Sequence, residues 1–463
     1  MNAGRAAAGA TLDHGAWSWA FFEWGRNPYV ILCGVYVLAP YMATVVIGDA
    51  VRGQEILSRW HTIAGVTVAL TAPFLGAAAD RLGRRKPLLA LVTALMVLAI
   101  AAQFWAMPGD AGLPLWLVGA AVIVAGVCFT WTEVLHNSML PSVAPAPLVA
   151  QASGLGLALG NLSSVLLLVF VLWGIALPGQ MRAPLMPEAP LFGLDPARFE
   201  PSRSVALICA GWAAVFAAPL FMFTRDRPAS GERFWPALRH GLGGVLATLR
   251  KLKSHRNVAL FLAARMLYAD GKIAILIFSG VYAAGVMGWG LLEMLVFGIV
   301  LSVFAVAGGL LAGRLDAWLG ARNATLCAVA VTLGCLLVMV SMSREAILFV
   351  IPVNAEARID APLFDTLPEL LYLGAAIVIA MSITAAFAAS RALMAQLSPP
   401  GMEGELFGLY ALAGSATAWL GPLLVERFTS MYQSQRAGFA AIGLLLLAGL
   451  ALLAFVKAPQ RQA

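Results

Sequence analysis

Residues 76–86 read GAAADRLGRRK, a short charged segment that joins two long apolar runs. Two of its glycines lie seven positions apart, an aspartate stands between them, and three basic residues end the segment. The apolar runs at 56–79 and 87–106 each reach the length of about 20 residues that a helix needs to cross a bilayer. The segment therefore predicts a tight, basic connection between two membrane-spanning helices.

The composition extends this interpretation to the whole chain. Of 463 residues, 61% are hydrophobic and 11% are charged, whereas soluble proteins carry about 25% charged residues. Such a chain has too little polar surface to stay in water, so lipid must surround much of it. The apolar runs are long and continuous, unlike the alternating segments of about 10 residues that form membrane barrels. We therefore expect an all-α integral membrane protein.

Windows of about 20 apolar residues give twelve candidate spans. They cover residues 18–46, 56–79, 87–106, 114–138, 148–176, 204–223, 257–284, 290–313, 323–342, 369–396, 405–427 and 437–456. Residues 224–256 interrupt this pattern with eight basic residues against two acidic ones. We predict an N-terminal half of six helices in residues 1–223, a basic cytoplasmic linker in 224–256, and a C-terminal half of six helices in 257–463.

The basic residues also predict the orientation of the chain. The linker and the connection at 81–86 lie on one side of a twelve-span protein, together with both termini, and basic loops mark the cytoplasmic side. The net charge of +7 thus reflects membrane topology, and no nucleic-acid partner is expected. The first residues do not resemble a cleavable signal peptide. We expect a monomer in the lipid bilayer of the plasma membrane, the inner membrane of a bacterium.

A degraded copy of the charged segment follows span eight. Residues 313–322 read GRLDAWLGAR, in which glycines at 313 and 320 repeat the spacing of those at 76 and 83. A basic residue, Arg85 or Arg322, stands two positions after the second glycine in each copy. Both copies join the second and third spans of their half, which indicates an internal duplication. In duplicated membrane folds the solute binds near the midplane, where the repeats meet.

The segment GAAADRLGRRK resembles the signature loop of the major facilitator superfamily, G-x-x-x-D-R-x-G-R-R-[KR]. This resemblance implies the major facilitator fold, with twelve transmembrane helices in two pseudo-symmetric halves of six, and a cytoplasmic gate that latches the halves together. A plain topology loop would explain the basic residues but not the spacing of the glycines and the aspartate. The gate residues implied are Gly76, Asp80, Arg81, Gly83, Arg84 and Arg85.

Four other segments resemble the family of vacuolar effluxer-like transporters linked to autophagy in yeast. They are SWAFFEWGRNPYVILCGVYVLAPYM at 18–42, SGLGLALGNL at 153–162, ARMLYADG at 264–271 and SRALMAQLSPPGMEGELFGLYALAGSATAWLGPLL at 390–424. The resemblance implies export of amino acids. The chain departs from the pattern at Glu23, where an aspartate is usual, at Arg26 and Asn27, where Asn-Ser is usual, and at Ser415, where a lysine is common. These changes alter the charge of the expected cavity.

Polar and ionisable residues at matching places in the two halves predict the solute site. Ionisable groups inside spans cost at least about 2.5–3.5 kcal/mol each, so they usually face a cavity or a partner. Glu23 and Arg26 in span one are i,i+3 neighbours that can form an ion pair, and span seven is the duplicate of span one. Interfacial anchoring near the span ends is the alternative. The predicted substrate-binding residues are Glu23, Arg26, Asn27, Tyr29, Tyr268, Asp270, Lys272 and Arg391.

Glu133 and His136 in span four form a second candidate group. Their spacing places both side chains on one helix face, and a carboxylate beside an imidazole can take up protons near neutral pH. We therefore expect these residues to couple transport to a proton or another cation. His136 could instead be a satisfied polar residue at a helix end. No cysteine or histidine spacing typical of a metal site is present, and no cofactor is expected.

The function expected from these observations is secondary active transport of a small polar solute, such as an amino acid, by alternating access. Efflux of drugs or lipophilic cations is the first alternative, and it predicts that acidic groups matter while Arg26 does not. A receptor-like protein with a transporter fold is the second, because fold does not dictate function. The chain lacks the motifs of metalloprotease, nucleophile-elbow and phosphate-binding enzymes, so an enzyme is not expected.

Overall fold

The structure is a computed structural model. It describes residues 12–82, 84–144, 148–179, 186–226, 228, 254–353, 363–398, 406, 409–410, 413–414 and 416–457. Within these residues twelve long helical segments follow one another. They are α1 His14–Val46, α2 Ala50–Leu82, α3 Lys86–Ala102, α4 Leu115–Val143, α5 Val149–Val171, α6 Glu200–Phe223, α7 Arg256–Tyr282, α8 Leu291–Leu319, α9 Ala321–Val340, α10 Leu367–Leu397, α11 Leu420–Tyr432 and α12 Gln435–Ala454.

The helices lie at the positions that the apolar runs predict, except that residues 416–419 form a turn inside the predicted span 405–427, so that α11 begins at Leu420. Nine of those in the described part of the chain are long and apolar enough to cross a membrane; α2, α7 and α11 are not among the nine. The fold is thus all-α and membrane-integral, as predicted, while the count of twelve spans stays a prediction. Several helices continue as π-helical turns, including Tyr29–Tyr36 and Met42–Val46 within α1, Leu172–Ala176 after α5 and Ala283–Met287 after α7.

The chain forms two compact units. Unit 1 contains Met1–Gly34 and Leu70–Leu246, and unit 2 contains Val35–Ala69 and Ala247–Ala463. The boundary near 246 falls in the predicted linker, of which residues 227 and 229–253 lie outside the described residues. The three-part division predicted from the sequence stays a prediction. Residues 35–69 pack within unit 2.

Helix pairing repeats between the units. In unit 1, α1 packs against α6, and α3 packs against both α4 and α6. In unit 2, α7 packs against α12, and α9 packs against both α10 and α12. Each pair in unit 2 is displaced by six helices from a pair in unit 1. This repetition agrees with the internal duplication inferred from the two glycine-containing segments.

Buried polar contacts hold the first part of α2 within unit 2. The fully buried Gln54 amide donates to Thr429 Oγ1 at 2.8 Å and to the carbonyl oxygen of Gln435 at 3.0 Å. One turn further on, Arg59 Nε donates to Glu426 Oε1 at 2.9 Å. Helix α2 begins at Ala50, six residues before the predicted run, because its first turns are too polar for a hydropathy window to detect.

The end of the signature loop is held inside unit 1. Asp226 accepts hydrogen bonds from the backbone nitrogens of Arg85 at 3.1 Å and Lys86 at 3.0 Å, at the N-terminus of α3. The buried Arg85 guanidinium donates to the carbonyl oxygen of Ser138, and Lys86 Nζ donates to that of Phe221 at 3.0 Å. These contacts tie α3 to the C-terminal ends of α4 and α6.

The structure describes less of the other predicted gate residues. Arg84 is exposed. Gly83 lies outside the described residues, and so do the side chains at Gly76, Asp80 and Arg81, although α2 runs through their backbone. A latch between halves stays a prediction.

The degraded copy makes an equivalent connection in unit 2. Gly320 separates α8 from α9 with a φ of +79°, a conformation that glycine adopts without strain. Arg322 then donates to the carbonyl oxygens of Ala454 and Val456, each at 2.5 Å. The last helix of each half is thus capped by a basic residue near the start of the third helix, Lys86 in unit 1 and Arg322 in unit 2, whereas Arg85, the residue equivalent to Arg322 in sequence, contacts α4.

A small hairpin follows α9, within a segment that the sequence predicted only as a long proline-rich connection. Its strands, β1 Ala346–Ile347 and β2 Ile351–Pro352, pair antiparallel. Strands of only two residues are too short to show the alternation of apolar and polar residues from which a strand is predicted.

Candidate solute-binding site

Unit 1 contains a charged cluster on α1 and α4. Arg26 Nη2 lies 2.9 Å from both carboxylate oxygens of Glu23, so the ion pair expected from their spacing is present. Arg26 Nη1 donates to the carbonyl oxygen of Phe129 at 3.0 Å and lies 3.5 Å from Glu133 Oε2. The guanidinium also stacks 4.2 Å from the Phe129 ring centroid. Arg26 is therefore a fixed internal cation with two carboxylate partners.

His136 contacts the same cluster from α4. Its buried ring stacks on the Trp19 indole at a centroid distance of 4.1 Å, and Nε2 lies 2.8 Å from the carbonyl oxygen of Trp19. Nδ1 lies 3.2 Å from Glu23 Oε1 without the geometry of a hydrogen bond. The carboxylate beside the imidazole is thus Glu23, where the sequence suggested Glu133. The spacing of Glu133 and His136 places both on one face of α4. The packing of α4 against α1, however, brings the His136 ring next to Glu23.

Exposure separates the two carboxylates. The side chain of Glu23 is 15% exposed and that of Glu133 is 47% exposed. Glu133 is therefore the member of the cluster that a solute can reach with least rearrangement. The role of Glu133 and His136 in proton coupling stays a prediction.

Asn27 and Tyr29 complete the predicted group on α1. Asn27 Nδ2 donates to Ser164 Oγ of α5 at 3.2 Å. Tyr29 is buried, with its ring 6.0 Å from that of Phe129. Close approach of α1 to α5 depends on small residues, because a Cβ added at Gly160 would lie 3.2 Å from Asn27 Cβ. Both predicted residues therefore lie beside the charged cluster.

Helix α7 of unit 2 carries three buried charged residues, Arg265, Asp270 and Lys272. Asp270 and Lys272 are both fully buried. Asp270 Oδ2 accepts the backbone N–H of Gly421 at 2.9 Å, while Oδ1 has no hydrogen-bond partner among the described residues. Lys272 Nζ likewise has none there; it lies 3.8 Å from the ring centroid of Phe387 and 5.1 Å from that of Tyr268. These two groups do not form a pair, because positions i and i+2 face different sides of a helix.

A chain of hydroxyl groups lies beside Lys272. The Tyr268 hydroxyl is 2.8 Å from Ser390 Oγ, which is 3.0 Å from the Tyr410 hydroxyl. Arg265 donates to the carbonyl oxygen of Tyr410 at 2.6 Å and stacks 3.5 Å from its ring centroid. Unit 2 therefore concentrates positive charge and hydroxyl groups, whereas the cluster in unit 1 carries an excess of carboxylate.

The structure differs from the sequence prediction at α10. Arg391, predicted to bind solute, is exposed, while the preceding Ser390 is buried and joins the hydroxyl chain. Residues that sequence reasoning missed include Trp19, Phe129, Phe387 and Tyr410. A tyrosine inside an apolar run was the one available signal for Tyr410. Ser415 lies outside the described residues.

A helix that only anchors a protein in the membrane does not need buried charged groups. The free-energy cost of burying such groups favours a role in a solute pathway. Solved structures with the same fold are transporters. The nucleoside transporter NupG aligns with a TM-score of 0.62 at 12% identity, over 96% of this chain and 98% of that one. The D-xylose–proton symporter aligns with a TM-score of 0.63 at 13% identity, over 96% and 97%. The chain is a multi-pass transporter with the major facilitator fold.

The family follows from sequence comparison. The family model described as "Vacuole effluxer Atg22 like" matches residues 145–462, and the chain belongs to this family. The "Uncharacterized MFS-type transporter YxiO" of Bacillus subtilis (strain 168) is 23% identical over 442 residues, 95% of this chain and 94% of that protein. "Autophagy-related protein 22" of Coccidioides immitis (strain RS) is 24% identical over 258 residues, 53% of this chain and 41% of that protein. These relatives and structural neighbours are transporters and not enzymes.

Proposed function

We propose that the protein carries small amphoteric solutes, amino acids in particular, across the membrane by alternating access. The observation that carries this proposal is Lys272 Nζ, which is fully buried in α7 and has no hydrogen-bond partner among the described residues. A lysine at the centre of a membrane helix costs about 2.5–3.5 kcal/mol on insertion scales. The carboxylate of a solute would supply the missing counter-ion.

The unit 1 cluster supports binding of the solute's ammonium group. Arg26 faces two carboxylates, Glu23 and Glu133, so the three side chains together carry one excess negative charge. The excess is accessible at Glu133, whose side chain is 47% exposed. The ammonium group of an amino acid would neutralise it. Unit 1 therefore offers a partner for an ammonium group, and unit 2 offers one for a carboxylate.

The proposed location follows from the basic loops. We place the protein in the plasma membrane with residues 81–86, the linker and both termini in the cytoplasm, according to the positive-inside rule. Labelling of a cysteine introduced at Arg84, which is exposed, in sealed spheroplasts and in inverted vesicles tests this orientation. Labelling from the outside of spheroplasts would contradict it.

Ligand-dependent thermal stabilisation of the purified protein tests the substrate class. A ligand that binds the folded state raises its apparent stability in proportion to the logarithm of its concentration. We expect one or more amino acids to raise the melting temperature of the wild type and of Lys457→Gln, an exposed control, but not of Lys272→Met. Stabilisation by lipophilic cations alone, retained in Lys272→Met, would favour drug efflux. The absence of any stabilising solute among amino acids and cations would favour a non-transporting role.

A further inference from the structure

The first inference concerns the imidazole of His136. Its Nε2 lies 2.8 Å from the carbonyl oxygen of Trp19. A carbonyl oxygen only accepts hydrogen bonds, so Nε2 must carry a hydrogen. Stacking on Trp19 and contact with Phe22, at centroid distances of 4.1 and 4.8 Å, fix the plane of the ring. Only Nδ1 can therefore change its protonation state while this packing is retained.

Nδ1 faces a carboxylate. It lies 3.2 Å from Glu23 Oε1 and has no hydrogen-bond partner among the described residues. In a neutral imidazole this nitrogen directs a lone pair at the carboxylate oxygen. A proton on Nδ1 converts the contact into an ion pair with Glu23. The geometry is that of a proton-binding position buried in the protein.

Other charged groups lie on the helices packed around His136. Next to α3, which packs on α4, Arg85 donates to the carbonyl oxygen of Ser138, two residues after His136. Helix α1 contributes Glu23 and Arg26, and α4 contributes Glu133. Helix α5, which packs on α1, carries no ionisable side chain. On α6, Arg203 is occupied by Glu200 and by the carbonyl oxygen of Phe104.

Protonation changes the charge balance of this cluster. With His136 neutral, Arg26 and the two glutamates leave one excess negative charge. With Nδ1 protonated, the same side chains are electrically balanced. A proton at His136 and an ammonium group at Glu133 therefore neutralise the same excess charge. Each weakens the binding of the other by an equal factor, as thermodynamic reciprocity requires.

We propose that Glu23 and His136 form the proton site of the transporter, and that proton and solute bind this cluster in competition. The protein then exchanges solute for protons: a proton bound at Nδ1 from one side releases solute there, and its departure on the other side restores the charge that binds the next solute. This proposal rests on the proposed function and specifies that solute transport is coupled to the movement of protons.

Proteoliposomes that contain the pH-sensitive dye pyranine test the coupling. Amino acids that stabilise the protein, added outside, should drive protons out of the vesicles with the wild type and with His61→Gln. His61 lies in the part of α2 that belongs to unit 2, where its Nδ1 contacts the carbonyl oxygen of Leu57. His136→Gln should lose this proton movement. Inward proton movement with the wild type, or unchanged movement in His136→Gln, would overturn the proposal. Absence of counterflow in the wild type would instead refute the proposed function.

A measurement without solute tests the proton site alone. The protein has five histidines, so comparison with His136→Gln assigns the signal of His136 in NMR spectra of isotopically labelled histidine. We expect acidification to change the protonation of Nδ1 and not that of Nε2, which the Trp19 carbonyl oxygen keeps as a donor. An Nδ1 signal that acidification leaves unchanged would overturn the proposal even if no solute is known.

The second inference concerns the hairpin after α9. Residues 346–352 read AILFVIP and contain no charged or polar side chain. Leu348, Phe349, Val350 and Ile351 are 49%, 60%, 79% and 50% exposed. Four consecutive large apolar side chains with such exposure mark a surface that contacts lipid or another protein.

The hairpin is fixed at the ends of membrane helices. The Phe349 N–H donates to the carbonyl oxygen of Ser341, the residue after α9, at 2.9 Å. Arg344 donates to the carbonyl oxygens of Met287 and Gly288 beyond α7, and Arg436 of α12 donates to that of Met342 at 3.3 Å. The turn therefore lies level with the ends of α7, α9 and α12, at the depth where the hydrocarbon meets the headgroups.

The structure assigns the turn 348–351 as an interfacial anchor whose partner is the acyl-chain boundary of the bilayer. Its apolar side chains match that environment, and its backbone is held by contacts of α7, α9 and α12. The anchor is independent of the nature of the solute.

A photo-crosslinking amino acid placed at Phe349 in the full chain, reconstituted in phospholipid vesicles, tests this assignment. We expect lipid adducts by mass spectrometry. The same group at the buried Met339 of α9 should give no lipid adduct. Crosslinks from Phe349 to a second copy of the chain, or no lipid adduct there, would overturn the assignment.

Discussion

The ammonium nitrogen of Lys272 lies 3.8 Å from the ring centroid of Phe387, inside unit 2. A second ring, that of Tyr268, lies 5.1 Å away. Aromatic faces attract cations but cannot replace a counter-ion in a medium without water. Lys272 Nζ is therefore a buried amine without a counter-ion among the described residues, and the proposed solute carboxylate would supply one.

Replacement of Lys272 by methionine should separate stability from transport. Methionine has a similar length and no charge, so we expect an unchanged or higher melting temperature, with a gain in the free energy of unfolding of up to about 2.5 kcal/mol, and loss of transport. Thermal unfolding in detergent and solute uptake measure the two effects. Lys457→Met, at an exposed position, should change neither. A destabilised Lys272→Met protein that still transports would show that the lysine is structural.

The buried ion pair in unit 1 should behave as a coupled unit. Arg26→Leu leaves Glu23 without its closest cation and should lower the free energy of unfolding by about 3–5 kcal/mol. The double variant Glu23→Leu, Arg26→Leu should lose clearly less free energy of unfolding than the two single variants lose together. For comparison, Glu55→Gln disrupts a pair with Arg59, whose side chain is 51% exposed, and should cost about 0–1 kcal/mol. Additive losses for Glu23 and Arg26 would contradict the observed contact.

Two adjacent glycines of α8 give a matched test of its packing against α10. A Cβ at Gly308 would lie 2.5 Å from Met381 Cα, whereas a Cβ at Gly309 would meet only Thr384 Cγ2, at 3.5 Å. We expect Gly308→Ala to destabilise the protein by about 1–3 kcal/mol. Gly309→Ala should be neutral or stabilising by up to about 1 kcal/mol, since alanine favours helix. Thermal unfolding of both variants should rank them in that order, and equal midpoints would refute the packing.

The signature loop offers a second pair of neighbours. Arg85 is 2% exposed and donates to the carbonyl oxygen of Ser138, whereas Arg84 is exposed. Arg85→Gln should lower the free energy of unfolding by about 1.5–3 kcal/mol, the value of a hydrogen bond from a charged group. Arg84→Gln should change it by less than about 0.5 kcal/mol. If Arg85→Gln left stability unchanged and altered only transport, its role would be in gating rather than in joining α3 to α4.

Hydropathy was sufficient to predict the helices, because the bilayer requires each of them to be apolar over its length. The ends that it misplaced are polar, as at the start of α2, where Gln54 and Arg59 lie among charged residues. The glycine spacing predicted the equivalence of the segments ending at Lys86 and Arg322. It could not show that Arg85 contacts α4 while Arg322 contacts α12, because a loop sequence does not specify the partner helix.

The candidate site was predictable only within single helices. Glu23 and Arg26 are close in sequence, so helical geometry alone brings them together. The contact of His136 with Glu23 and that of Lys272 with Phe387 join different helices, and they depend on helix rotation and packing. For the same reason the sequence selected Arg391 on α10, while the structure turns Ser390 inward.

Counterflow of amino acids in proteoliposomes tests the central claim most directly. Vesicles that contain the purified protein are loaded with an unlabelled amino acid that stabilises it, and a trace of the labelled compound is added outside. We predict transient accumulation of label with the wild type and with Lys457→Gln, and none with Lys272→Met. Counterflow that persists unchanged in Lys272→Met, or its absence from the wild type for every common amino acid, would contradict the account.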